Sequence, residues 1–199
     1  MYDFDAGNLS LDFVNTLDWH GSEHPAERLT GYLDLVAWGE QAGLISPDLV
    51  SQLGAQADKQ AAHTARAYGL AIQVREAIYH IFSNRYAGKP IAEADLAILN
   101  SVVREALAHR QLVPSAGEFH WEWTFDVDGT DHILWPIAFS AAELLTSTDA
   151  SRVRECEDDR GCGYLFIDRT KNHSRRWCSM DSCGNRAKAR RHYSRLQAG

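Results

Sequence analysis

The chain has 199 residues, a net charge of −7 and 45% hydrophobic residues, which suffices for a folded domain with a small appended module. Its apolar runs fall far short of the roughly 20 residues that span a bilayer. The N-terminus also lacks the basic-then-apolar pattern of a secretory signal. The composition therefore argues against a membrane-spanning or globally disordered protein. We expect a cytoplasmic protein with no membrane partner.

The first 115 residues have mainly helical periodicity, since apolar side chains recur every three or four positions. Leu11 and Val14 begin this pattern, in a segment that is also compatible with an extended start. Ser46-Pro47 has the composition of a helix cap followed by a first-turn proline. The predicted helices cover residues 27–42, a stretch that opens at Pro47, residues 60–86 and residues 93–110.

After residue 118 the apolar side chains recur at every second position, which is typical of a strand. Residues 119–127 alternate between apolar and polar, Asp128-Gly129 forms a predicted hairpin turn, and residues 132–135 are the expected partner strand. Pro136 then begins the last predicted helix of the part of the chain before residue 150, which we call the body. The three tryptophans of this hairpin are expected in the core: Trp121, Trp123 and Trp135.

Charge divides the chain into two unequal parts. Residues 1–150 contain eight basic and 21 acidic residues, a net charge of −13, whereas residues 151–199 contain 12 basic and six acidic residues, a net charge of +6. The polar stretch Thr146–Asp149 is the expected boundary. We therefore predict a domain over 1–149 and a basic, anion-seeking module over 150–199.

All four cysteines lie within 28 residues of this module, spaced C-x5-C, x15, C-x4-C. Two nearby pairs separated by a loop suit a tetrahedral zinc site, and thiolates in a cytosolic chain favour metal over disulfides. We predict one structural Zn²⁺ per chain, because four thiolates leave no open coordination position. Unliganded cysteines or an iron–sulfur cluster are the alternatives. The predicted ligands are Cys156, Cys162, Cys178 and Cys183.

The residues around the cysteines predict the shape of the module. Gly163 provides the flexible backbone that a zinc knuckle needs next to a cysteine. The pattern then predicts a strand over residues 164–168, a turn over 170–174 and a returning strand over 176–178. A helix that carries the last ligand at its start follows, extending to Gln197. Knuckle, hairpin and helix together resemble the treble-clef arrangement.

A dense set of basic residues surrounds this site and extends along the helix. Such a helix suits phosphate contacts, and Asn185 at its start suits a phosphate or an adenine edge. The alternatives are a solvated helix, one docked on the acidic body, or one that recognises another anionic partner. The candidate nucleic-acid-binding residues are Lys171, Arg175, Arg176, Asn185, Arg186, Lys188, Arg190, Arg191 and Arg195.

Polar residues in the N-terminal domain are open to two interpretations. Asp12, Asn15 and Thr16 lie among apolar neighbours, where they either form internal hydrogen bonds or line an apolar ligand pocket. Asp18, His20 and His24 are interpreted as a surface loop rather than a second metal site. The sequence contains no Gly-rich phosphate loop and no nucleophile–base pattern, so an enzyme is the less favoured class.

The stretch Arg175–His192, with its Cys183-Gly-Asn-Arg186 core, resembles the CGNR zinc-finger family of bacterial proteins. Residues 11–16 and 34–38 resemble the ABATE domain that usually precedes it. One departure is that the first cysteine pair encloses five residues, where the family more usually has four. The resemblance implies a bacterial, stress-linked transcription regulator.

We therefore predict a mainly α protein: a helical domain with a β-hairpin, followed by a small treble-clef-like zinc module. The predicted function is DNA-binding transcription regulation, with an effector or a second copy bound by the N-terminal domain. A module that recognises an acidic protein partner is the alternative.

Overall fold

The structure is a computed structural model that describes residues 2–57, 59–124 and 129–197. The predicted mainly α class is confirmed: over these residues the chain forms seven helices and three two-stranded antiparallel sheets. The helices are α1 Leu9–Val14, α2 Tyr32–Gln41, α3 Pro47–Ala57, α4 Ala61–Tyr86, α5 Glu93–Ala108, α6 Leu134–Thr146 and α7 Asn185–Gln197. The strands are β1 Leu17–Asp18, β2 Ala26–Glu27, β3 Arg110–Ser115, β4 Glu118–Trp123, β5 Val153–Glu155 and β6 Leu165–Ile167, paired in that order.

Helix α4 is the centre of the body. Its apolar stripe, which includes Ala71, Val74 and Ile78, is fully buried against α1, α2, α5 and α6. Burial of each large apolar side chain stabilises the fold by roughly 1.5–3 kcal/mol. None of the helices within the described residues combines the length and apolarity needed to cross a membrane.

A buried arginine on α4 sets where α2 begins. Arg75 is 2% exposed, and its guanidinium donates two hydrogen bonds of 2.7 Å to the carboxylate of Glu27. The same carboxylate accepts from the backbone N–H of Leu29 at 2.8 Å. Residues 26–29 are therefore held extended, and α2 begins at Tyr32 rather than at the predicted residue 27. Arg75 also pairs with Glu76 at 3.0 Å, so its buried charge has two carboxylate partners.

The hairpin of the body differs from the prediction. The strand predicted over 119–127 forms as β4 only as far as Trp123 within the described residues. Its partner is β3, joined through Ala116 and Gly117, both of which have positive φ (49° and 90°). Such a pair makes a two-residue hairpin turn. The predicted turn at Asp128-Gly129 falls partly on residues 125–128, which lie outside the described residues.

The predicted partner strand over 132–135 is wrong, since α6 begins at Leu134. Four residues are too few to distinguish a strand from a buried helical turn by periodicity. The expectation of a tryptophan core holds for Trp135, which is 2% exposed, but not for Trp121, which is 55% exposed.

The polar residues of the first segment are internally bonded. The Asp12 carboxylate accepts from the Ala6 N–H at 2.9 Å, and the Thr16 hydroxyl donates to the Phe13 carbonyl at 2.7 Å. The Asn15 amide donates to the Leu165 carbonyl and accepts from the Leu165 N–H, both at 2.9 Å. These contacts support the structural interpretation of all three residues over the ligand pocket.

Asp12 gives this region a pH dependence. Burial raises its pKa from 3.8 to about 6, against the hydrogen bond from Ala6 and with a contribution from Asp5. Stability is therefore lost as the pH rises from about 4 to about 6, because the folded state holds the proton more tightly. Asp12→Asn keeps the acceptor oxygen, so we expect the free energy of unfolding at pH 7.5 to rise by on the order of 2 kcal/mol.

Urea unfolding at pH 4 and pH 7.5 measures this effect. At pH 4 the variant and the wild type should be nearly equal in stability. An equal difference at both pH values would contradict the assignment to Asp12 ionisation.

Candidate metal centre and the basic helix

Four segments bring the cysteines together. Strand β5 places Cys156, the loop that follows it places Cys162, the segment before α7 places Cys178, and a π-helical turn at Met180–Gly184 places Cys183. Their sulfur atoms all lie within 4.8 Å of one another. Across the described residues this is the one group of three or more Cys, His, Asp or Glu with metal-binding geometry.

The sulfur positions fit a zinc ion. A tetrahedron with 2.3 Å zinc–sulfur bonds has edges of about 3.8 Å. The Sγ atoms of Cys162 and Cys178 are 3.8 Å apart, and those of Cys178 and Cys183 are 3.6 Å apart. The Cys178 N–H points at the Cys156 sulfur at 3.4 Å, the kind of outer contact that orients thiolate ligands.

The thiol cluster favours a bound cation on electrostatic grounds. Hydrogen bonding with Cys156 raises the pKa of Cys162 to about 12, and burial together with Cys156 raises the pKa of Cys183. Four thiolates so close together repel one another. A divalent ion offsets this repulsion and allows all four to ionise.

The backbone around Cys162 depends on glycine and on the body. Gly161 and Gly163 have φ of +82° and +68°. The loop after β1 lies against them: the His20 N–H donates to the Cys162 carbonyl at 3.2 Å, and the Gly21 N–H donates to the Gly161 carbonyl at 3.1 Å. Sequence patterns carried no signal for this long-range contact.

The same loop contains His20, one of the residues considered for a second metal site. The His20 ring stacks on Tyr79 with centroids 3.5 Å apart, and its Nε2 lies 2.8 Å from the Glu76 carboxylate. His20 therefore anchors the loop on α4, as a structural residue does.

The strand pairing of the module differs from the prediction. The strand expected over 164–168 forms as β6, but it pairs with β5, and residues 176–178 form no strand. A buried carboxylate closes the intervening loop instead: Asp168 accepts from the Thr170 N–H at 2.8 Å and from the Arg175 N–H at 3.0 Å. Burial opposes ionisation of Asp168, but these hydrogen bonds outweigh it and lower its pKa.

Several of the predicted nucleic-acid-binding residues have local structural contacts. Arg175 stacks over Phe166 at 4.2 Å and donates to the Trp177 carbonyl at 3.1 Å. Arg176 pairs with Glu157 at 2.5 Å. Both residues therefore brace the segment that carries Cys178.

Helix α7 is held by an acidic residue of the knuckle. The Asp158 side chain is fully buried and lies 3.6 Å from both Arg186 and Arg190, and Asp159 also pairs with Arg190. The hydrogen bond from Arg160 is the main reason that the pKa of Asp158 is well below its usual range. These ion pairs fix the direction in which α7 leaves the metal centre.

Arg186 also joins the metal centre to the body. Its guanidinium donates to the Cys183 sulfur at 3.0 Å and lies 5.3 Å from the ring of Trp19. Trp19 has a positive φ of 58°, an uncommon conformation for a bulky residue.

The remaining candidates differ in exposure. Lys171, Asn185 and Lys188 are exposed. The side chains of Arg191 and Arg195 lie outside the described residues. Arg176 is exposed as well, although it pairs with Glu157.

A cavity of about 300 Å³ lies beside the metal centre, between the N-terminal segment and the knuckle. Its lining includes Asp3, Asp18, Trp19, Tyr164 and Arg186, and the predicted pocket residues Asp12, Asn15 and Thr16 do not line it. This cavity is therefore not the ligand pocket predicted at those three residues.

The fold and the cysteine cluster define a zinc-finger protein with a helical N-terminal domain. Residues 7–148 match the sequence model of the ABATE family, which is described as "Putative stress-induced transcription regulator", and residues 152–196 match the CGNR zinc finger. The chain belongs to the ABATE family, whose model covers more than half of it. No curated protein matches the chain.

The close approach of the body loop to the knuckle is testable at Gly161. A Cβ added there would lie 2.3 Å from the Gly21 carbonyl oxygen, in addition to the cost of positive φ. We therefore expect Gly161→Ala to weaken zinc retention at least tenfold in a chelator competition. The positive φ alone costs about 1–2 kcal/mol.

Gly88→Ala is the matched control, because Gly88 has a similar φ of +65° with nothing within 4 Å of an added Cβ. It should retain zinc as the wild type does. Equal zinc loss in both variants, or in neither, would show that the loop contact does not support the knuckle.

Proposed function

We propose that the chain is a DNA-binding transcription regulator. One zinc ion per chain holds the C-terminal module, α7 and the loop at Lys171 contact phosphates, and the N-terminal domain binds an effector. The observation that carries this proposal is a strongly basic segment with exposed cations, built directly on a closed four-cysteine site.

The charge distribution supports a nucleic-acid partner for the module rather than for the body. Residues 151–199 carry +6, whereas residues 1–150 carry −13 and repel DNA. Lys171 and Lys188 are exposed. Arg190 is partly exposed and held by Asp158, so it is presented in a fixed position.

Phosphate contacts give affinity, whereas base-edge contacts give specificity. Asn185 is exposed at the start of α7 and is the candidate for a base contact. Arg186 is held by Asp158 and by the Cys183 sulfur. We therefore assign it to orienting the helix rather than to reading bases.

The zinc ion has a structural role in this proposal. Four sulfur ligands complete its tetrahedral coordination, which leaves no position for a substrate or a water molecule. We accordingly propose binding, and not catalysis, as the activity of the chain.

Cys183→Ser tests the structural zinc. We expect the variant to lose its single zinc and the order of α7, while the body keeps its helical content, because β5 and β6 pack into the body core through Val153 and Leu165. Metal analysis, circular dichroism and limited proteolysis measure these effects. A variant that keeps one zinc per chain, or that unfolds throughout, would contradict the assignment.

Replacement of two exposed lysines tests phosphate binding. If about four to six cations contact phosphate, log affinity should fall with log salt at a slope of roughly −4 to −5. Lys171→Ala with Lys188→Ala should weaken all duplex sequences about equally and flatten that slope by about two. Fluorescence anisotropy of the full chain with labelled DNA measures both quantities.

The matched control is Lys59→Ala with Lys89→Ala, which removes the same charge from exposed positions on the body. This control should bind DNA as the wild type does. If the Lys171→Ala, Lys188→Ala variant binds DNA as tightly as the wild type at moderate salt, the proposal that this surface binds phosphates is wrong. Recognition of an acidic protein then becomes the leading interpretation.

A further inference from the structure

Another cavity, of about 270 Å³, lies where the end of α4 meets the start of the zinc module. Its floor is apolar, since Phe82 and Val153 line it with side chains that are otherwise buried. Two arginines line it as well: Arg85 from the last turn of α4 and Arg154 from β5. We call this cavity the junction pocket.

The junction pocket is basic within an acidic body. Residues 1–150 carry −13, yet none of the described residues that line the pocket is acidic. Across the described part of the chain, neither Arg85 nor Arg154 pairs with a carboxylate, whereas the neighbouring Arg152 pairs with Asp149 at 3.5 Å. The two guanidinium charges of the pocket therefore have no counter-charge among the described residues.

The acidic residues nearest in the chain are bonded elsewhere. The Glu155 carboxylate accepts from the Ser83 hydroxyl at 2.6 Å and from the Tyr79 hydroxyl at 3.2 Å. Glu157 pairs with Arg176 at 2.5 Å. These carboxylates are held by other partners, so they do not neutralise the junction pocket.

Backbone carbonyl groups hold the two guanidinium groups in position. One terminal nitrogen of Arg154 donates to the Ser151 carbonyl at 2.8 Å and to the Val153 carbonyl at 3.1 Å. The Nε of Arg85 donates to the Ala150 carbonyl at 3.5 Å. In the described structure these bonds engage one nitrogen of each guanidinium, which leaves the other two nitrogens of each able to donate to a ligand.

The chemistry of the junction pocket fits a phosphate group. Two like charges in one cavity repel each other, and an anion between them replaces this repulsion with attraction. A phosphate monoester carries about −1.5 to −2 charges at pH 7 and has three acceptor oxygens. It can therefore accept from both guanidinium groups, whose planar forks match phosphate oxygens. A single carboxylate would neutralise only one of the two charges.

The size and the walls of the pocket favour a small ligand. Its volume is close to the lower limit of about 300 Å³ for ligand pockets. Phe82 on the floor and Tyr86 on the wall offer an aromatic surface to an organic group attached to the phosphate.

We propose that the junction pocket binds a phosphate group, held jointly by Arg85 and Arg154. Arg154 lies two residues before Cys156, so a ligand bound to both arginines ties α4 of the body to the strand that leads into the cysteine cluster. The inference rests on the proposed effector binding, for which it names the class of ligand, and it is independent of the proposed DNA binding. A phosphorylated small molecule and a DNA backbone phosphate offer the same chemistry here.

Isothermal titration calorimetry of the full, zinc-loaded chain with phenyl phosphate, at constant ionic strength and without DNA, tests the pocket. Arg85→Gln and Arg154→Gln should each weaken binding roughly tenfold or more, because each removes a charge-assisted contact. Glutamine keeps an amide that can donate to the same carbonyl groups, so zinc content and circular dichroism should not change. The double variant should lose binding altogether.

Arg104→Gln is the matched control, because Arg104 is exposed on α5 and does not line the junction pocket. It removes the same charge and should bind phenyl phosphate as the wild type does. A wild type that fails to bind at millimolar concentration would overturn the proposal. Binding that survives in the double variant, or that Arg104→Gln weakens equally, would overturn it too.

Fluorescence anisotropy with labelled duplex DNA separates the two sources of phosphate. If the pocket holds a small molecule, the Arg85→Gln, Arg154→Gln variant should bind the duplex as the wild type does. If it holds a backbone phosphate, the same variant should bind the duplex at least roughly tenfold more weakly, and phenyl phosphate should compete with DNA. Both results support a phosphate site, and failure of DNA binding by the wild type would leave the calorimetric result unaffected.

Discussion

The buried strand β6 is the element on which both parts of the molecule depend. Its side chains alternate, so Leu165 and Ile167 pack into the helical core while Phe166 packs against the cysteine cluster. The Asn15 side chain pairs with both backbone groups of Leu165, which extends the hydrogen bonding of the strand into the body. A buried strand needs both its backbone groups and its two faces satisfied. The body and the metal centre are consequently built against a common strand.

Ion pairs organise the start of α7. Asp158, which is buried beside the last zinc ligand, attracts Arg186 and Arg190 and so fixes the start of α7. Ion pairs of this kind use part of the positive charge that the sequence displays. The surface available to a phosphate partner is therefore smaller than the net charge of +6 suggests, and it is weighted towards the exposed lysines.

The loop after β1 is the second link between body and metal centre. Gly21 approaches the Gly161 backbone closely, His20 is anchored on α4 by Glu76, and Trp19 lies beside Arg186. A displacement of this loop would therefore act on the knuckle and on the first turn of α7 together. This arrangement connects the N-terminal domain directly to the module.

The sequence by itself determined the helical class, the extent of α4 and α5, and the cysteines that meet, because these follow from local periodicity and from the chemistry of thiolates. Only the tertiary structure decided which strands pair. Local alternation identified β4 and β6 but not their partners β3 and β5, since pairing depends on what each face packs against. The structural roles of Arg175, Arg186 and Asp158 could not be predicted either, because the sequence does not show whether a charged side chain faces solvent or a buried partner. Contacts between residues as distant as Asn15 and Leu165 leave no local pattern, and so they appear only when the chain is folded.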